Sequence, residues 1–215
     1  MFQGFSPETI DFLWGIRMNN NREWFQEHKE QYTKTLYEPM KALGAELFAP
    51  FAEKPGNLLK VSRIYRDARL HHPLPYKETL WACIRQDVQW WSENPCLFAQ
   101  ISPDCMEYGL LFWRPSSASM ENFRREISAH PDEFLKLIRK TEKDTGIAVT
   151  ADCYKRPKTP EDPRLAPYFA WKNGISCICR EEISPALFEH SLAERIGTMF
   201  RQLSELYDYF NRFHG

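Results

Sequence analysis

The chain has 215 residues, 43% of them hydrophobic and 14% aromatic, with a formal net charge of −1. A single domain of that length buries about 70% of the surface its unfolded chain exposes. The near-neutral balance excludes a global attraction to nucleic acid or anionic lipid, so any basic site has to be local.

The first residues, MFQGFSPET, carry neither a basic leader nor a long apolar run, so no signal peptide is visible. No apolar stretch approaches the ~20 residues of a membrane span. The expectation is a cytoplasmic protein with no membrane partner. Fifteen Phe and seven Trp imply a large aromatic core or, as the less favoured reading, a core plus an aromatic-lined cleft. Cys83, Cys96, Cys105, Cys153, Cys177 and Cys179 include no Cys-x-x-Cys pair, and no His falls at finger spacing. They read as reduced core residues, with no metal and no cofactor expected.

Ser6-Pro7-Glu8 opens a helix with a hydroxyl cap, a first-turn Pro and an acid near the positive end. Phe12, Leu13 and Ile16 form its apolar side. The run Asn19-Asn20-Asn21 ends it, and Asn20 or Asn21 caps the next, which carries Trp24, Phe25, His28, Tyr32 and Leu36 at helical spacing. Pro39 predicts a break or kink near Glu38, followed by a helix burying Met40, Leu43, Leu47 and Phe51. Pro55-Gly56-Asn57 is a turn.

Leu58 to Asp67 alternates as a strand, with Leu59, Val61, Arg63 and Tyr65 on one face. Pro73 and Pro75 force an extended or turning loop. A second strand is expected over Leu80 to Gln86, and a hairpin over Leu97–Ser102 and Met106–Trp113. Ser116 to Ser119 starts a helix with Met120, Phe123 and Ile127; His130-Pro131 interrupts it, and Gly146 closes the one that follows. Further strands are expected over Ile147–Tyr154 and Ile175–Glu181, separated by a Pro-rich surface excursion from Lys155 to Pro167. Ser184-Pro185 caps a last helix with Leu192, Ile196, Met199, Phe200, Leu203, Tyr207 and Phe210 in one stripe.

Strands in runs, with helices before, among and after them, imply an α+β class. The expected architecture is a mainly antiparallel sheet of five or six strands packed by N-terminal, middle and C-terminal helices. It forms one domain over residues 1–215: a helical segment over 6–54, sheet and helices over 58–181, and a last helix over 185–213.

The segments Asn20-Asn21-Arg22-Glu23-Trp24-Phe25, Arg63-x-x-Arg66-Asp67-x-Arg69 and Pro75-Tyr76-Lys77 occur in an order that resembles a bacterial family of conserved proteins of unknown function. Pro39, Met120-x-x-Phe123-Arg124 and Lys172 extend the match. The resemblance implies a Lys-rich loop between Arg69 and Pro75; this chain has Leu70-His71-His72-Pro73-Leu74, so if those lysines grip a ligand this chain grips it less strongly, or His72 substitutes at lower pH.

The chemistry concentrates in the same stretch. Arg63, Arg66, Asp67, Arg69, Tyr76 and Lys77 read as a site for a small phosphate or carboxylate, because a guanidinium fork binds either group through two hydrogen bonds. Asp67 would orient a guanidinium and Tyr76 would donate to the ligand. Arg22, Glu23, His72 and Arg85 are secondary candidates. The competing reading pairs these Arg residues with Asp67, Glu23 or Glu78 as a structural tie. No phosphate loop, zinc-protease signature or nucleophile elbow is present, so no catalytic residue and no reaction is assigned. The alternative is a non-enzymatic module that meets a protein or nucleic acid through Trp90, Trp91 and basic residues. In that reading at least one Trp is expected to be buried, and the near-neutral charge disfavours nucleic acid.

Overall fold

The computed structural model describes residues 1–67 and 73–213. Its strands are β1 (Asn57–Val61), β2 (Leu80–Gln86), β3 (Cys96–Ile101), β4 (Cys105–Phe112), β5 (Thr150–Cys153) and β6 (Trp171–Glu182). Among the described residues they form one antiparallel sheet, ordered β1-β2-β3-β4-β6-β5, and the fold is α+β. The chain groups into two compact units. One is Met1–Ile84 with Phe98–Tyr108 and Arg180–Gly197; the other is Arg85–Leu97 with Gly109–Cys179 and Thr198–Gly215.

In the first unit, α1 (Pro7–Met18) is fixed at its start by reciprocal bonds between Ser6 and Thr9. It buries Phe12, Leu13 and Ile16. Asn21 accepts the Trp24 N–H and caps α2 (Arg22–Glu27). The path continues through α3 (Lys29–Gln31), a π-helical turn over Tyr32–Tyr37 and α4 (Glu38–Phe48).

Of the break or kink expected near Glu38, no break occurs, since Tyr37 and Glu38 both keep right-handed helical dihedrals; the helix instead widens into the π turn just before it. Pro39 has no N–H to offer the carbonyl of Thr35, four residues back. The Thr9 hydroxyl, reaching over from α1, donates to that carbonyl at 2.6 Å instead. The wide π turn just before Pro39 makes room for its ring. Met40, Leu43, Leu47 and Phe51 are buried as the pattern implies.

The expected strand over Leu58–Asp67 is cut short at Val61. Ser62 donates its N–H to the Trp81 carbonyl at 2.8 Å, but the Trp81 N–H returns to the Ser62 hydroxyl at 3.1 Å. A side-chain oxygen therefore replaces a backbone acceptor and the ladder stops. Pairing resumes at an isolated bridge between Tyr65 and Tyr76, flanked by bonds from Arg66 N–H to Pro75 and from Lys77 N–H to Ile64. Strand β2 has the expected bounds.

The last helix starts late. Residues Pro185–Phe188 form a 3₁₀ turn, and α8 runs over Ser191–Phe210. The Leu187 carbonyl takes the Phe5 N–H at 3.2 Å, which ties this turn to the N-terminal segment. The predicted stripe of seven residues on α8 is buried throughout.

In the second unit, the Ser116 hydroxyl accepts the Ser119 N–H and caps α5 (Ser117–Ala129). Next comes α6 (Pro131–Thr145), which ends at Gly146 with φ 70°. Phe123 is the hub of this core: its ring meets Phe134, Trp171, Phe210 and Phe213 at centroid distances of 5.4–5.9 Å. Strand β5 is shorter than expected and β6 begins earlier, at Trp171. The two pair through a register shift, and Gly174 at φ 62° sits against Asp152, where a Cβ would lie 3.1 Å from its carboxylate. Within the expected excursion residues 155–159 are exposed. Its later part folds back: a 3₁₀ turn over Pro163–Leu165 and α7 (Ala166–Phe169) bury Leu165 and Phe169.

All six cysteines are free thiols, but only Cys83, Cys105 and Cys177 are buried; Cys153 is exposed. Among the described residues no helix is long and apolar enough to cross a membrane.

Candidate functional site

Three of the sequence segments meet in the first unit. The Asn20 side-chain amide grips the backbone of Tyr76 from both sides: Nδ2 donates to its carbonyl and Oδ1 accepts its N–H, each at 3.0 Å. Arg66 Nε donates to the same carbonyl at 2.6 Å, which uses its second lone pair. The Tyr76 ring is 2% exposed and stacks on Phe25 at 4.3 Å, so this tyrosine is packed into the core. Burial pushes its phenol up, Tyr65 adds to the effect, and the Arg22 charge works against it.

Cations gather beside this junction. Lys77 Nζ donates to the Arg63 carbonyl at 2.9 Å and lies 5.9 Å from the Trp81 ring centroid. Burial, then the charges of Arg63 and Arg66, holds the Lys77 ammonium below the usual lysine range. Arg66 reaches Glu78 only at 4.0 Å, and Glu78 is already bonded to Arg17 at 2.7 Å. Arg17 also grips Asp104 with both terminal nitrogens, at 3.0 and 2.7 Å. Among the described residues no carboxylate is within ion-pair distance of Arg63 or Lys77.

The remaining candidates are spread out. Asp67 is exposed and engaged in contacts of its own, and Arg22 and Glu23 are exposed in the first turn of α2. Arg69 and His72 lie outside the described residues. Arg85 belongs to the second unit, where it donates to the Gln86 carbonyl and lies 5.6 Å from the Trp91 ring. The expectation that Trp90 or Trp91 is buried fails: they are 65% and 40% exposed. The two fall in an irregular connection that ends in a single 3₁₀ turn, which offers no face to bury them.

Sequence reasoning passed over a cleft in the second unit. It encloses about 330 Å³ between α5, the segment after β5 and α7, and Arg124, Arg156 and Lys158 line it beside Tyr154. Arg124 carried a signal, through its place in the Met120-x-x-Phe123-Arg124 motif. Arg156 and Lys158 carried none, because three prolines and mixed charge read as a solvated connection.

A family model described as "Conserved hypothetical protein (DUF2461)" matches residues 8–209 of the chain. No curated protein matches it.

Proposed function

The chain belongs to this family of conserved hypothetical proteins, DUF2461, and for it we propose a binding role: Arg63, Arg66 and Lys77 hold a small anion, a phosphate or a carboxylate. The observation that carries this reading is the charge imbalance. Among the described residues, of Arg63, Arg66 and Lys77 only Arg66 comes within reach of a carboxylate, Glu78 at 4.0 Å, which Arg17 already holds more closely at 2.7 Å. A half-buried ammonium such as Lys77 costs free energy when its nearest charges are like ones. An anion entering between these residues removes that cost, and charge-assisted bonds contribute about 1.5–3 kcal/mol each.

Tyr76, Asn20 and Phe25 are the scaffold in this reading. They fix the backbone from which Lys77 projects, while Arg66 is both clamp and ligand. Linkage gives the pH dependence. Binding raises the lowered Lys77 pKa, so affinity falls as pH climbs through the free protein's value towards the ordinary lysine range.

Thermal shift against inorganic phosphate, sugar phosphates and dicarboxylates tests the proposal. A ligand at 100 times its Kd stabilises by about 2.7 kcal/mol. The expected result is a shift that is diminished in Arg63→Ala/Lys77→Met. An undiminished shift in that variant, or no shift with any of these anions, overturns it.

A further inference from the structure

The second unit's cleft is a separate site, and its lining states a ligand chemistry of its own. One wall is a single face of α5, where Ser117, Glu121 and Arg124 follow at helical spacing. The facing wall is the connection after β5, which supplies Tyr154, Arg156, Pro157 and Lys158; the Phe169 ring of α7 contributes buried apolar surface.

Arg124 is built into this site. Its guanidinium donates to the carbonyls of Phe169, Met120 and Trp171, at 3.3, 3.2 and 2.6 Å. Three of its five N–H groups are thereby fixed on backbone, which sets the plane of the fork and leaves two donors. Carbonyls orient the charge without neutralising it. Among the described residues no carboxylate forms an ion pair with Arg124, Arg156 or Lys158. The guanidinium also lies 5.6 Å from the ring centroid of Tyr154, and Lys172 Nζ lies 5.9 Å from it. Tyr154 is an aromatic residue left 42% exposed, which is where a ring-stacking ligand is met.

We propose that this cleft binds a phosphomonoester of a hydroxylated small molecule, of the size of a nucleoside monophosphate. Three cations on two walls suit the three oxygens of a phosphate dianion better than the two of a carboxylate. The first residue of α5, Ser117, is on the lining, so the positive end of a 13-residue helix adds to the same field. Among the described residues Glu121 is the one carboxylate on the lining. It would repel a bare anion, but it accepts hydrogen bonds from sugar hydroxyls. Tyr154, Pro157 and Phe169 give the organic part an apolar surface. The volume is at the lower end of small-molecule sites, which run from roughly 300 to 1,000 Å³.

The proposal is independent of the Arg63–Lys77 site, and its test keeps the two apart. Isothermal titration of the full chain at low ionic strength uses AMP, adenosine and inorganic phosphate as probes. AMP is expected to bind at least about tenfold more tightly than adenosine, because the phosphate supplies the charge-assisted bonds. Arg156→Glu/Lys158→Glu, on exposed residues of the connection, is expected to weaken AMP at least about tenfold while leaving the melting temperature unchanged. Tyr154→Ala weakens AMP but not inorganic phosphate. Arg63→Ala/Lys77→Met leaves AMP binding here intact. Equal affinity for AMP in the charge-reversed variant overturns the cleft, as does AMP binding lost only in Arg63→Ala/Lys77→Met. So does the absence of heat with millimolar AMP.

Discussion

The hold of Asn20 on Tyr76 has a measurable worth. Asn20→Ala leaves the Tyr76 N–H without its acceptor on a residue that is almost wholly buried, while Arg66 still serves the carbonyl. An orphaned buried donor costs about 1–3 kcal/mol. Urea unfolding is expected to show a loss of that size with an unchanged m-value; a loss within error would mean that water or a local shift replaces the amide. A second group reports on pH. Burial alone raises the Glu181 carboxyl, but hydrogen bonds from Arg195 and Tyr108 outweigh it and hold the group below the usual carboxylate range. Its folded pKa is therefore below its unfolded one. The stability it contributes is complete above the unfolded value and is lost as pH falls through the folded one. Tyr108→Phe removes one donor, so the Glu181 titration seen by carboxyl NMR is expected to move up, and the acid limb of the stability curve to lose amplitude. A titration that stays in place would refute this account.

At the scale of elements, the continuity of the helical path through Pro39 depends on a residue 26 positions from the carbonyl it serves. Thr9→Val should orphan the Thr35 carbonyl and cost about 1–3 kcal/mol. In a Pro39→Ala background the new N–H can bond that carbonyl, so the same substitution should cost less, with a coupling of at least about 0.5 kcal/mol. Denaturant midpoints of the four proteins give the cycle; strict additivity would show that the hydroxyl and the proline act independently. This is also why the break predicted at Glu38 was illegible locally: Pro39 reads as a stop in any window that leaves out Thr9. The bounds of β2 and the stripe of α8 were legible because each follows from its own periodicity. The early end of β1 was not, since Ser62 looks like any polar strand residue until Trp81 is opposite it.

Across the whole molecule, composition spoke to class, and the single sheet with helices around it was readable from the order of the periods. Charge spoke less clearly. A net value of −1 hides both the cations around Lys77 and the Arg124 cleft, because sums erase clustering. Arg124 and Lys158 are more than thirty residues apart in the chain, and their segments meet where Arg124 on α5 bonds the Phe169 and Trp171 carbonyls and lies over the Tyr154 ring. Each compact unit is assembled from three separate stretches, the last of them starting at Arg180 in one and Thr198 in the other. On the ribosome, then, the first unit lacks its last stretch until Gly197 has left the exit tunnel, and the second lacks its own until the residues from Thr198 onward have followed. Until then the nascent polypeptide carries unmatched apolar surface, which makes it a natural client for holding chaperones.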